Sequence, residues 1–316
     1  MNSFIFSLNA TVPIFAMMVI GNILKRMHLI DEHFASIANK FVFKVCLPCL
    51  LFSDLAVTDI RHHFDPEYVG YCFAVTLISI LVIWYLARHL LKDKTSVGAF
   101  VQCSYRSSAA ILGIAFIQNI YGTSGMAPLM IIGSVPLYNI FAVIILTLES
   151  NNEEISNNTH QIKATFLNVL KNPIIIGIFL GLLASLVNLK LPHIADKTIQ
   201  NLAVMTSPLA LISIGATFEG KKALAKIKPT LVATFLKLLG LAAVFLPVAI
   251  YLGMRDQKLV AILVMLASPC TPTSYIMAKN MDGDDVLASS IIVATTLLSS
   301  ITLTFWIFLM RTMHLI

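Results

Sequence analysis

Apolar residues in this chain fall into runs of about twenty, separated by short polar or charged breaks. A helix crossing a hydrocarbon core of ~30 Å needs ~20 residues. The runs therefore predict ten spans, at 4–24, 35–57, 68–90, 97–121, 126–149, 172–189, 198–218, 229–251, 259–280 and 286–310. One long polar stretch, beginning Asn151-Asn-Glu-Glu-Ile-Ser-Asn-Asn-Thr-His160, lies between spans and divides them five and five. The expected organisation is a first five-helix repeat (1–150), a linker (151–163) and a second five-helix repeat (164–316). An odd number of spans per half places the second half upside down relative to the first, an arrangement typical of carriers.

One run is internally broken. Within 260–278 stands Ala267-Ser-Pro-Cys-Thr-Pro-Thr-Ser-Tyr275, with Pro269 and Pro272 three residues apart. Each proline removes a backbone donor and clashes one turn back, so span nine should break here. Freed backbone groups at membrane depth persist only inside protein or beside a wet cavity, which makes the break a pointer to a binding site. A shift of 160 residues tests the repeat: Pro13 falls on Pro173, Gly21 on Gly181, Pro48 on Pro208, Leu51 on Leu211, Ser53 on Ser213 and Ala56 on Ala216. The same shift carries span nine's break onto Ser107–Ala115 in span four, where Gln102, Ser104, Arg106, Ser107, Ser108 and Gly113 form the most polar interior run of the first half. Ten residues at ~1.5 Å each from their entry points put Arg106 and Ser268 both ~15 Å deep.

If both spans break there, two half-helices start at the midplane with unsatisfied N–H groups and the positive ends of their dipoles, roughly +0.5 charge each. Such ends form an anion site, and Arg106 adds a full charge suited to a carboxylate. A guanidinium at that depth faces a cavity or ligand, or else snorkels or pairs with a carbonyl. Around it the candidate binding set is Ser107, Ser108, Gly113, Ser268, Thr271, Pro272, Thr273 and Ser274, with Asn139, Ser53 and Ser207 from spans five, two and seven. Membrane hydroxyls also bond neighbouring helices. Lys40, Lys44 and Lys237 lie near span ends and are expected to snorkel. Asp54 is expected near the outer interface, with a proton relay as its functional alternative. Asp284 and Asp285 read as N-cap residues of span ten.

Composition agrees. With 58% hydrophobic and 12% charged residues, and a mean hydropathy of +0.85, the 316-residue chain is a polytopic membrane protein. Its net charge of +6 does not imply nucleic acid, because the basic residues sit singly between apolar runs. Six Lys and Arg fall on the N-terminal face and fourteen on the other, with Arg106 and Lys237 inside spans. By the positive-inside rule both termini lie outside and the linker inside, in a cell membrane. Asn157-Asn-Thr159 is then a chance sequon. The first run has its charges, Lys25 and Arg26, after it, so it reads as a span and not a cleaved signal. All five cysteines lie in apolar segments as packing residues, and Cys46-Leu-Pro-Cys49 lacks the strand-then-helix context of a redox motif. Nothing calls for a cofactor or metal.

Several stretches carry a resemblance: Leu47-Pro-Cys-Leu-Leu-Phe-Ser-Asp-Leu-Ala56, Arg106-Ser-Ser-Ala-Ala-Ile-Leu-Gly113, Asn172-Pro-Ile-Ile-Ile-Gly177, Ser207-Pro-Leu-Ala-Leu-Ile-Ser-Ile-Gly-Ala216, Thr271-Pro-Thr-Ser274 and Gly283-Asp-Asp-Val-Leu-Ala-Ser289. In order and spacing they resemble the auxin efflux carrier family, whose bacterial members include malonate-type carriers. The resemblance implies an all-α membrane fold of ten helices with crossing, broken helices four and nine, similar to sodium/proton antiporters and bile-acid carriers. It implies a scaffold of helices one, two, six and seven against which helices three to five and eight to ten move. It also implies an organic-anion substrate and a homodimer through the scaffold. The family pattern in span four is similar to Arg-Gly-Asn followed by Gly-Leu-Pro, where this chain has Ser107, Ser108 and Gly113-Ile-Ala115. The expected function is a secondary carrier of a small mono- or dicarboxylate by efflux, uniport or exchange. The alternatives are a sodium- or proton-coupled symporter, for which Gln102, Gln118 and Asn119 would supply oxygens, and, from other classes, a sensor, a channel or an intramembrane enzyme.

Overall fold

The computed structural model describes residues 2–56, 65–109, 117, 118, 120–122, 126–149, 171–187, 189 and 191–316, and the linker and its sequon lie outside them. Among the described residues every regular element is a helix. We label them α1 (Asn2–Arg26), α2 (Glu32–Ala56), α3 (Pro66–Leu90), α4 (Val97–Tyr105), α5 (Ala127–Leu148), α6 (Pro173–Leu186), α7 (His193–Thr217), α8 (Ile227–Tyr251), α9 (Asp256–Ala267), α10 (Thr273–Asn280) and α11 (Asp285–Thr312). Six of these, α2, α3, α5, α7, α8 and α11, are long and apolar enough to cross a membrane. A short helix, Gly220–Ala225, joins α7 to α8.

Helix starts follow the local chemistry. Asp31, Asp65, Asn172 and Asp284 each accept a hydrogen bond from a backbone N–H two or three residues on, capping α2, α3, α6 and α11. Asp284 is the N-cap its sequence position suggests, whereas Asp285 is already inside the helix. Helix α7 begins at His193, five residues before the apolar run, because Pro192 ends the preceding loop and a half-exposed polar turn leads into the apolar part. Helices α2 and α8 each contain one wider, π-type turn, at Val42–Cys46 and Leu236–Gly240.

Helix α1 packs along the second half of α7 and along α11, while the second half of α2 packs along α6 and the first half of α7. Two close approaches allow this. A β-carbon on Gly21 would collide with the backbone carbonyl of Ile212, and one on Gly181 would sit 3.0 Å from Phe52 Cα. Helices α3, α4 and α5 pack on one another, and α9, α10 and α11 pack against them and α8. Two lysines tie this second group together at its two ends. Lys258 Nζ, at the start of α9, lies 2.5 Å from Asp65 Oδ2, at the start of α3. Lys226 Nζ, before α8, lies 2.6 Å from Asp93 Oδ2, before α4, and 2.9 Å from Asp284 Oδ2.

Candidate functional site

Helix α9 stops at Ala267 because Ser268 turns extended (φ −73°, ψ 158°) ahead of Pro269, and α10 restarts behind Pro272. Helix α4 stops at Tyr105, and Arg106 is extended (φ −68°, ψ 131°) with no proline nearby. The two breaks meet: the Ser108 N–H donates to the Pro269 carbonyl at 3.0 Å. A helix end leaves carbonyls unsatisfied, and two of those at the end of α9 are taken by side chains from two other helices and from the break after α4. Ser107 Oγ donates to Met265 O, and Tyr138 Oη of α5 donates to the same oxygen at 3.1 Å. Lys237 Nζ of α8 donates to Leu266 O at 2.6 Å and to Ser107 Oγ at 2.5 Å. Span four thus breaks without a proline because its backbone and Ser107 are bonded into span nine's break.

Lys237 corrects the snorkelling expectation. Its side chain is fully buried and ends on the carbonyl terminus of α9, where a cation complements the helix dipole. Lys40 and Lys44, in contrast, are exposed, as snorkelling requires.

Arg106 is 3% exposed. Its Nη2 donates to Asn139 Oδ1 at 2.8 Å and Thr273 Oγ1 at 3.1 Å. Its Nη1 donates to Gln102 Oε1 at 3.4 Å and points at Met277 Sδ. Among the described residues Nε has no acceptor and no carboxylate reaches the guanidinium. Asn139 is itself fixed, its Nδ2 donating to Val135 O at 2.9 Å beside Pro136. Gln102 is fixed too, its Nε2 donating to Ser274 O at 3.1 Å. Neutral dipoles therefore orient a buried cation without neutralising it, the state expected of a group awaiting an anion.

A cavity of about 60 Å³ opens beside Arg106, Ser107, Ser108, Asn139, Ser207, Thr271 and Thr273. Seven of the sequence-derived candidates are thus brought to one space. Four described candidates do not line it. Ser268 Oγ is buried with no partner among the described residues, Pro272 only opens α10, Ser274 Oγ accepts from Cys270 Sγ at 3.4 Å, and Ser53 lies off the cavity. Pro272 and Ser274 fall away because α10 turns them from the opening that Thr271 and Thr273 line. Gly113 lies outside the described residues. The cavity also holds Asp54, which the sequence reading places at the interface, together with Tyr138 and the apolar Leu47, Leu50, Leu51 and Val135. Leu47, Leu50, Leu51 and Asp54 follow a helical i, i+3, i+4, i+7 spacing, a signal that could have placed Asp54 on this face.

Residues 6–307 match the family described as "Membrane transport protein". The chain belongs to this family, the auxin efflux carriers. The transporter is similar over nearly its whole length to two proteins of the same description. It is 24% identical over 318 residues to the "Uncharacterized transporter YfdV" of Escherichia coli K12, covering 97% of this chain and 98% of the relative. It is 21% identical over 306 residues to an "Uncharacterized transporter" of Methanothermobacter thermautotrophicus, covering 96% and 98%. A "Lysosomal cholesterol signaling protein" of Mus musculus is 23% identical over 226 residues, 67% of this chain and 26% of the mouse protein. The transporter is an integral, multi-pass membrane protein.

Proposed function

We propose that the transporter is a secondary carrier of a small carboxylate, and that the anion's carboxylate binds Arg106 at the crossing of two broken helices. The observation that carries this is a buried guanidinium held by neutral groups, with Nε unpartnered, on the wall of a small cavity. The first turn of α10 adds its dipole, and Ser107, Ser108, Asn139, Ser207, Thr271 and Thr273 supply hydrogen bonds. Movement is by alternating access, between a scaffold of α1, α2, α6 and α7 and a crossing body of α3–α5 and α8–α11. Two ion pairs at opposite ends favour the crossing body's moving as a unit.

The fold we assign is ten spans in two inverted five-helix repeats, 1–150 and 164–316, joined by a cytoplasmic linker at 151–163, with both termini outside the cell membrane. Reciprocal contacts support it. Gly21 meets Ile212 as Gly181 meets Phe52, and both the glycines and their partners are 160 residues apart. The ion pairs reciprocate with charges exchanged: the start of α3 holds the start of α9 through Asp65–Lys258, and the start of α8 holds the start of α4 through Lys226–Asp93.

The geometry favours uniport, efflux or exchange over a sodium-coupled cycle. Gln102 is committed on both ends, Gln118 is exposed, and the crossing already holds two basic side chains, Arg106 and Lys237. Moving one anion outward down an inside-negative potential yields ~2.3 kcal/mol per 100 mV. The test is carboxylate flux from proteoliposomes at imposed potentials. Flux should rise with inside-negative voltage and need no sodium; flux indifferent to voltage for every acid tried contradicts the electrogenic carrier.

A further inference from the structure

Helix α10 touches the scaffold as well as Arg106. Thr217 Oγ1, at the end of α7, donates to Ser213 O at 2.8 Å. In its contact with Tyr275 Oη, also 2.8 Å long, the tyrosine is therefore the donor. Asn39 Nδ2 of α2 donates in turn to Tyr275 Oη at 3.5 Å. The bonds run in one direction, from Asn39 through Tyr275 to Thr217 and Ser213, and they join three helices. Further along α10, Asn280 Nδ2 donates to Asn39 O at 3.3 Å. We infer that Tyr275, with Asn280, is the latch that closes one end of the binding site, and that the site opens toward that end when α10 parts from α2 and α7. The inference rests on the division into scaffold and crossing body proposed above.

Position supports this. The cavity takes Leu47, Leu50 and Leu51 from α2, Ser207 from α7 and Thr273 from α10. The latch takes Asn39, Thr217 and Tyr275 from the same three helices. At ~1.5 Å per residue Asn39 lies ~12 Å from Leu47, and Thr217 ~15 Å from Ser207, so the latch forms a layer beyond the cavity. Lys226 pairs with Asp284 just past α10, so this is the end assigned above to the cytoplasm. The bonds suit a contact that must break in each cycle, since losing one shifts a conformational equilibrium by only about two- to tenfold. The closed layer is also incompletely satisfied. Asn39 Oδ1 is buried with no partner among the described residues, and water reaching it on opening offsets part of the loss. Thr273, two residues before Tyr275, accepts from Arg106 Nη2 at 3.1 Å. One short helix thus carries a contact of the anchor and the latch together.

The experiment uses a buried reporter. Ser213 shares a face of α7 with Thr217, one turn on, and its Oγ is buried with no partner among the described residues. In Ser213→Cys, the reaction of that thiol with a charged thiosulfonate reagent follows opening of the layer; it is read by mass spectrometry at residue 213 of the purified full chain. Cys72, buried on α3, is the control in the same sample. Tyr275→Phe, which removes only the hydroxyl, should speed the reaction at residue 213 about two- to tenfold and leave Cys72 unchanged, and Thr217→Val should do the same. The two together should be no faster than Tyr275→Phe alone, because they remove the same bond. An unchanged rate in either single variant overturns the inference, as does an effect of the pair that is the product of the two, or equal acceleration at Cys72. If Tyr275→Phe does not fold, Thr217→Val decides by itself. The reaction needs no substrate, so the two levels separate. Acceleration in a protein that moves no carboxylate keeps the latch and overturns the carboxylate reading; carboxylate flux with an unchanged rate at residue 213 keeps the carrier and removes the latch.

Discussion

The break in span nine and the break in span four reach the same crossing by different means. Span nine is broken by its own sequence: Pro269 and Pro272 deny the helix its donors, and the chain turns extended at Ser268. Span four has no such residue, and its helix gives way where Ser107 and Ser108 find better partners on span nine than within their own helix. One break is local and the other is tertiary. The lesson is that the tertiary break also carries the charge. Arg106 leaves the helix at the point where the backbone is held from outside, so the geometry of its guanidinium depends on groups on α5, α8, α9 and α10.

That difference orders the expected effects of substitution. The largest belongs to Arg106. Arg106→Ala should lower affinity for the transported anion by about a hundredfold, since a charge-assisted, desolvated contact is lost; a binding titration reads it. Lys237→Met comes next. It leaves Leu266 O and Ser107 short of a buried donor and should cost about 1–3 kcal/mol of stability, seen as a lower unfolding midpoint. Ser107→Ala removes one bond of that set and should cost about 1–2 kcal/mol. The proline substitutions should be milder still. Pro269→Ala or Pro272→Ala should move stability by only about 1 kcal/mol, because the carbonyls of α9 keep their partners from other helices. If the prolines prove costlier than Lys237, the crossing is held by local chain stiffness and the contrast drawn above fails.

The ion pairs at the two ends give the smallest effect, with a defined sign. The Lys258 ammonium, helped by the Tyr68 N–H, holds the Asp65 carboxyl below the usual carboxylate range, and Lys226, helped by Thr95, does the same for Asp93. A carboxyl whose folded value is lowered contributes stability that is present above its unfolded value and is lost as pH falls toward the folded one. Both pairs are partly exposed, so each contributes on the order of 0.2–1 kcal/mol. The midpoint difference between the native protein and Asp65→Asn or Asp93→Asn should therefore be small near neutrality and shrink as the pH is lowered through the carboxylate range. A difference that grows with acid contradicts these assignments.

Much of this was legible in the chain. Apolar runs of membrane length show the six long helices, two prolines mark the break between α9 and α10, and a lone arginine among serines marks its partner. The features that were not legible share a cause: they depend on where one helix ends against another. Lys237 reads as a snorkelling residue from its distance to the helix end, but the carbonyls freed at Ala267 give its ammonium a buried destination. Asp54 reads as interfacial when depth is counted along span two. Its face, shared with Leu47, Leu50 and Leu51, turns it into the cavity. Ser274 belongs to the right stretch but the wrong side of it, because a half-helix beginning at Thr273 turns one hydroxyl to the opening and the next to the packed interior.

The central claim is that Arg106 anchors a carboxylate at the crossing, and thermal unfolding of the purified protein against a panel of mono- and dicarboxylates tests it most directly. The best acid should raise the midpoint of the native protein in a concentration-dependent way and leave that of Arg106→Ala unmoved. Equal stabilisation of both proteins by that acid would contradict it.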